Sequence, residues 1–173
     1  MAGNPIRIGV VGTGYVGLTT GACLAHLGHH VVCADVDPRK VGILQAGQIP
    51  IVEEGLQTIV DDARAAGRIE FALGAEAAAT DVDVVFLCVP TPQGDDGSAD
   101  LSYIQVAAGQ IAPVLAPGTV VGNKSTVPVG STIAVEQVLG RDDIPVVSNP
   151  EFLREGTAVH DFLHPDLYVI GST

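Results

Sequence analysis

The chain has 173 residues, 20 of them acidic and 8 basic, for a formal charge of −12. That length suggests a single domain large enough to bury a real core, and 47% hydrophobic with 16% charged residues excludes a disordered tail. The acidic balance argues against nucleic acid and anionic membranes as partners, so a phosphorylated ligand has to be held locally, by backbone N–H groups and a few placed cations.

Residues 6–11 form a short β-branched run, read as a buried strand, followed by a glycine turn at 12–17. Residues 15–27 read as a helix of small residues closed by Gly28, and 31–35 as a second strand. A helix over 38–46 has Asp37 as N-cap, Pro38 in its first turn and Gly47 past its end. Another helix over 55–66 ends at Gly67, before a strand at 69–72 and a short helix at 75–79. A strongly apolar strand at 82–89 stops at Pro90 and Pro92, and 93–100 is a polar loop. Helices at 101–115 and 131–139 alternate with strands at 119–123 and 145–148. Residues 149–162 read as helical turns, and 168–170 as a last short strand. Strands that are continuous apolar runs, alternating with helices, predict an α/β fold: a Rossmann-type, doubly wound parallel sheet in one domain over 1–173.

No apolar run reaches the roughly 20 residues of a membrane span. The start, Met1-Ala2-Gly3-Asn4-Pro5, has no basic stretch and no long apolar run, so no secretory signal is expected. Cys23, Cys33 and Cys88 are far apart and lie in apolar segments, which predicts buried reduced thiols and a cytoplasmic protein.

Gly12-Thr13-Gly14-Tyr15-Val16-Gly17 fits G-x-G-x-x-G. Alone this is a weak signal, but here it follows a strand, opens a helix, and precedes a second strand ending in Asp35. Gly12 permits the tight turn, Gly14 leaves room for a pyrophosphate, and Gly17 lets the helix approach the strand, with helix N–H groups facing the phosphates. Asp35 is suited to accept hydrogen bonds from an adenosine ribose and to repel a 2′-phosphate, favouring NAD over NADP; Arg39 and Lys40 soften that preference. The segment 118–125 resembles a Walker A loop with the wrong spacing, and no Tyr-x-x-x-Lys pair is present. His160 and His164, with Asp161 and Asp166, lack a third placed ligand, and Pro165 interrupts their helix, so no metal is expected. The loop at 95–100 does not fit calcium-ligand spacing.

Three further segments fall where parallel strands end: Cys88-Val89-Pro90-Thr91-Pro92, the string 124–132 beginning Lys124-Ser125-Thr126, and Asn149-Pro150-Glu151-Phe152-Leu153-Arg154-Glu155-Gly156. With residues 12–18 and 46–51, they resemble, in order, the UDP-glucose/GDP-mannose dehydrogenase family over about residues 6–171. The resemblance implies a two-step oxidation of a sugar nucleotide's primary alcohol to the carboxylate with two NAD and one water, through a thioester on a cysteine, and points to UDP-glucose as the substrate. It implies that Glu151 is the general acid/base of hydrolysis and that Thr126 helps hold the water. It assigns Glu155 to the nicotinamide end, Asp35 and Lys40 to the adenosine ribose, and Cys88 to Pro92 with Ser125 and Thr126 to the cofactor wall. Glu151, Phe152, Leu153 and Arg154 fall in its substrate segment. Read as residues only, Ser148 to Glu151 also fits a helix capping box, Glu151 and Glu155 fit a solvated helix face, and Thr126 fits a turn before Pro128.

Two positions depart from the pattern: Leu167 stands where an Arg is usual, and Glu54 where Pro is frequent. The family's cysteine, lysine and asparagine, its sugar-nucleotide domain and its dimer-forming long helix lie past the position matched by Thr173. The chain alone is therefore expected to bind NAD without turnover. The alternatives are a non-catalytic NAD-binding remnant or sensor, or a family member acting on GDP-mannose or an N-acetylated UDP-sugar.

Overall fold

In the structure, a computed structural model, residues 4–94, 97–128 and 130–172 are described. Asp95 and Asp96 of the acidic loop and Val129 of the 124–132 string lie outside them, as do the first three residues and Thr173. Six strands run parallel: β1 (Arg7–Val11), β2 (His30–Asp35), β3 (Ile69–Leu73), β4 (Val84–Leu87), β5 (Val120–Asn123) and β6 (Val146–Ser148). With β7 (Gly171–Ser172) the order across the sheet is β3-β2-β1-β4-β5-β6-β7. The order reverses between β1 and β4, the switch point where open α/β sheets receive ligands at their C-terminal edge.

Helices cover both faces. On one face α1 (Tyr15–His26), α2 (Pro38–Gln45), α3 (Leu56–Ala65) and α7 (Ala158–Leu163) pack a core that includes Val10, Leu18, Leu44, Leu56 and Val60. On the other, α4 (Ala75–Ala79), α5 (Ser102–Ile111) and α6 (Ser131–Leu139) pack Val85, Leu87, Ile104, Ile111 and Val121. The expected caps are present: Asp37 accepts the Arg39 amide at 2.9 Å, and Gly28, Gly47 and Gly67 carry positive φ past their helix ends.

The C-terminal stretch differs from the expectation. Residues 149–157 are irregular rather than helical, so Ser148 to Glu151 is not a capping box and Glu151 and Glu155 do not share a helix face. The last strand is Gly171–Ser172, not 168–170, and it pairs antiparallel with β6. A parallel strand would require the chain to cross back over the sheet to the edge where the other strands start; here it pairs with β6 as it returns past α7. Antiparallel return is the short path. Strand β4 is also shorter than the apolar run 82–89.

Strand β1 runs directly under α4. A Cβ on Gly9 would lie 1.8 Å from the Ala78 carbonyl oxygen, a backbone atom with little freedom to move. Gly9→Ala is therefore expected to destabilise the domain by about 1–3 kcal/mol or more, read as a lowered urea midpoint. An unchanged midpoint would contradict this packing.

Candidate functional site

The chain leaving β1 enters the glycine turn beside the chain leaving β4. Gly12 sits at φ +100°, and a Cβ there would meet the Cys88 carbonyl oxygen at 2.5 Å. A Cβ on Gly17 would meet the Gly12 carbonyl oxygen at 1.8 Å, so only glycine lets α1 come this close to its strand. Gly14 is different: a Cβ there has nothing within 4 Å, because this position faces open space at the N-terminus of α1. The first amides of a helix have no intrahelical acceptors, so the free space lies against N–H donors.

That space belongs to a cleft of about 690 Å³, within the rough 300–1,000 Å³ range of small-molecule sites. Asp35 lies at one end, 8% exposed. Its Oδ2 accepts the Thr13 amide at 2.9 Å and the Thr13 hydroxyl at 2.7 Å, and its Oδ1 accepts the Asp37 amide at 3.0 Å. Burial alone would raise this carboxyl's pKa; the bonds from Asp37 and Thr13, with Lys40 Nζ at 3.7 Å, outweigh it and hold the pKa below the ordinary value. The far end is formed by Ser125, Thr126, Lys124 and Glu151. Ser125 donates to the Val89 carbonyl at 2.7 Å and Thr91 to the Thr126 carbonyl at 2.9 Å, tying the β4 and β5 exits together.

A second cleft, of about 240 Å³, joins the first at Lys124 and Glu151 and is lined by Phe152, Leu153, Arg154, Phe162 and Tyr168 among others. Glu151 Oε2 accepts the Leu153 amide at 2.7 Å. The Arg154 guanidinium is committed to Asp161, at 3.1 Å from Nε and 2.7 Å from Nη2.

Among the expected cofactor contacts, Gly12, Gly14, Tyr15, Val16, Asp35, Lys40, Cys88, Val89, Pro90, Thr91, Ser125 and Thr126 line the first cleft. Thr13 and Gly17 stand behind its wall as supports, and Pro92 and Glu155 line neither cleft. Leu167, where the family pattern has Arg, lines the second cleft and is 66% exposed.

Three contributors were not read from the sequence. Tyr103, Val106, Ala107 and Gln110 bring one face of α5 into the cleft; their i, i+3, i+4, i+7 spacing was the available signal. Lys124 is 6% exposed, with Nζ 3.2 Å from Asn149 Oδ1 and within 6 Å of the Phe86 and Phe162 ring centres. Burial lowers its pKa, opposed by the neighbouring Cys88 and Glu151. Glu53, 7% exposed, accepts the Tyr15 hydroxyl and the Gly156 and Ala158 amides, the latter two at 2.8 Å. Burial raises its pKa, but these bonds, with the Val159 amide, bring it below the usual value. Burial, with Glu53's hydrogen bond and charge, holds the Tyr15 phenol above its ordinary pKa.

A sheet that reverses order at a glycine turn, with a bare N–H cradle and an acid closing the next strand, defines a dinucleotide-binding domain. The chain belongs to the UDP-glucose/GDP-mannose dehydrogenase family, whose NAD binding domain matches residues 6–173. It is 49% identical over 171 residues to a UDP-glucose 6-dehydrogenase of Rhizobium meliloti, a match covering 96% of this chain and 39% of that protein. A solved UDP-glucose dehydrogenase from Pyrobaculum islandicum superposes with a TM-score of 0.89 at 41% identity, over 98% of this chain and 41% of that one. GDP-mannose dehydrogenase from Pseudomonas aeruginosa superposes at 0.87 with 34% identity, over 97% and 41%. The chain thus spans about two fifths of the length of these relatives. Its cofactor is NAD, and the open space at Gly14, the donor set at α1 and the Asp35 carboxylate fit that group. Among the described residues no helix is long and apolar enough to cross a membrane.

Gly14 has φ −70°, so a side chain there is free of backbone strain. Gly14→Ala is expected to leave folding stability within about 0.5 kcal/mol while raising the Kd for NAD at least about tenfold, some 1.4 kcal/mol. Calorimetric titration beside a urea melt separates the two; an unaltered Kd would remove the pyrophosphate from this turn.

The Asp35 carboxyl binds protons less readily folded than unfolded. Its stabilisation is complete above the unfolded carboxyl range and is lost as pH falls through that range to the lowered folded value. Asp35→Asn is expected to flatten that acid limb of the stability curve; a slope equal to wild type would refute the assignment.

Proposed function

We propose that this chain is the NAD-binding half of an enzyme that oxidises the primary alcohol of UDP-glucose to the carboxylate, UDP-glucuronate. One observation carries the reading: the NAD cleft and the second cleft meet at Glu151 and Lys124. NAD, when bound, would supply the hydride acceptor, one equivalent for each of the two oxidations from alcohol to acyl level. Residues 12–17 hold the pyrophosphate, Asp35 and Lys40 the adenosine ribose, and the 88–91 and 125–126 segments the nicotinamide end; Pro92 and Glu155, which line neither cleft, are not part of this reading. Glu151, Phe152, Leu153 and Arg154 hold the sugar nucleotide. UDP-glucose is favoured over GDP-mannose by the higher identity to the UDP-glucose relatives.

Glu151 keeps Oε2 on the Leu153 amide, and Oε1 has no partner among the described residues. This free oxygen takes the proton of the water that attacks the acyl intermediate, with Thr126 holding that water. The thiolate that captures the intermediate comes from outside this chain. Cys88 lines the cleft, but burial raises its thiol pKa to about 12, against the pull of Lys124 and with the push of Glu151. The other two cysteines are buried away from it. The chain alone thus binds NAD and does not turn over. Its three free, buried thiols suit the cytoplasm.

Saturable heat on NAD titration, and no NADH formed from UDP-glucose by the isolated chain, are the expected results; no heat at millimolar NAD would overturn the binding reading. In a chimera carrying the C-terminal remainder of the Rhizobium meliloti relative, Glu151→Gln is expected to cut kcat about 10²–10⁴-fold with KM little changed. A wild-type kcat would refute the acid/base role.

A further inference from the structure

Glu53 sits on the loop before α3, outside the lining of either cleft. It has no lysine or arginine within ion-pair distance among the described residues. Its charge is met by neutral donors drawn from two remote parts of the chain. Oε2 accepts the Tyr15 hydroxyl and the Gly156 amide, and Oε1 accepts the Ala158 amide. Tyr15 is the first residue of α1 and part of the cofactor wall. Gly156 and Ala158 close the segment that begins at Glu151, and Val159 and Leu163 just beyond pack on the same core cluster as Leu18 and Ala22 of α1.

We propose that Glu53 is a positioning residue that couples occupancy of the NAD cleft to the order of the 154–158 segment, because one carboxylate grips Tyr15 at the glycine turn and the amides of Gly156 and Ala158 together. The Tyr15 hydroxyl has a single proton and two acceptors in reach, Glu53 Oε2 and the Arg154 carbonyl at 3.1 Å. The charged oxygen is the stronger acceptor. A ligand that immobilises residues 14–17 fixes the Tyr15 ring, and the hydroxyl then fixes the carboxylate that holds 156 and 158. By linkage, ordering 154–158 raises NAD affinity by the same factor. The inference rests on NAD binding at the glycine turn and not on which sugar is oxidised.

The experiment is amide hydrogen exchange of the 173-residue chain by NMR, with and without saturating NAD. The readout is the ratio of free to bound exchange rates at Gly156 and Ala158. In the wild type this ratio is expected to be about tenfold, within the usual range of coupling between sites. In Glu53→Gln it falls to near one, because the amide's NH₂ faces donors it cannot accept from; Glu53→Asp restores part of it. A purely structural role would speed exchange equally with and without NAD and leave the ratio intact. If Glu53→Gln does not fold, Tyr15→Phe, which deletes only the hydroxyl, is read the same way at its own saturating NAD and is expected to lower the ratio. A wild-type ratio of one, or a ratio preserved in either variant with NAD bound, overturns the proposal. Absence of NAD binding by the wild type is a separate result, which overturns the cofactor reading and the proposal with it.

Discussion

The ligand edge of this domain depends on how closely two pieces of backbone pass at the switch point. The Gly12 and Cys88 main chains approach until even a methyl group would collide, and α1 is drawn in until Gly17 rests on the Gly12 carbonyl. The consequence is geometric. The first amides of α1 are presented at the cleft floor, with no side chain at Gly14 to cover them. A chain of net charge −12 is a poor general partner for phosphate, but these aligned dipoles act over a few ångströms, where distant carboxylates are screened within about 10 Å.

Two buried carboxylates hold the turn from either side. Asp35 grips Thr13 through its amide and hydroxyl, and Glu53 grips Tyr15 through its phenol. The residues flanking Gly14 are each anchored to an acid fixed by other donors, so part of the turn's order is in place before a ligand arrives and the ligand completes it. A preorganised site avoids the ordering cost that binding would otherwise carry. The two anchors differ in reach. Asp35 is local to β2 and the loop after it, whereas Glu53 extends the same rigidity to the segment after β6.

The sequence made the parallel sheet legible because its strands are uninterrupted apolar runs and its helices end at glycines with positive φ. The glycine turn was legible because Gly12 and Gly17 have steric tasks that no other residue performs, while Gly14 leaves the cleft floor uncovered. Glu53 was not legible. Its donors lie 38, 103 and 105 residues away, and nothing within Ile51-Val52-Glu53-Glu54 separates the buried acid from its exposed neighbour. Local pattern also failed after Asn149. A possible capping box at Ser148–Glu151 is instead a turn in which Glu151 takes the Leu153 amide, since β6 continues through Ser148 and Pro150 follows. The last strand was misplaced by three residues because Tyr168, Val169 and Ile170 have strand-like side chains but remain exposed.

The placement of cations completes the electrostatic argument. The chain contains two lysines, Lys40 and Lys124, and both line the NAD cleft, at opposite ends. Lys40 stands half-exposed beside Asp35, a solvated charge whose attraction is modest. Lys124 is buried between two phenyl rings with one acceptor, Asn149, whose own amide donates to the Val169 carbonyl at 2.9 Å. In that low-dielectric setting its charge acts on Glu151 and Cys88 more strongly than a surface lysine would. One lysine therefore stands paired with an acid at the solvent end, while the other sits buried at the junction of the two clefts. The remaining six basic residues are arginines, and only Arg154 among them lines either of these clefts, where it is already neutralised by Asp161. Both lysines of this acidic protein thus stand at the dinucleotide cleft.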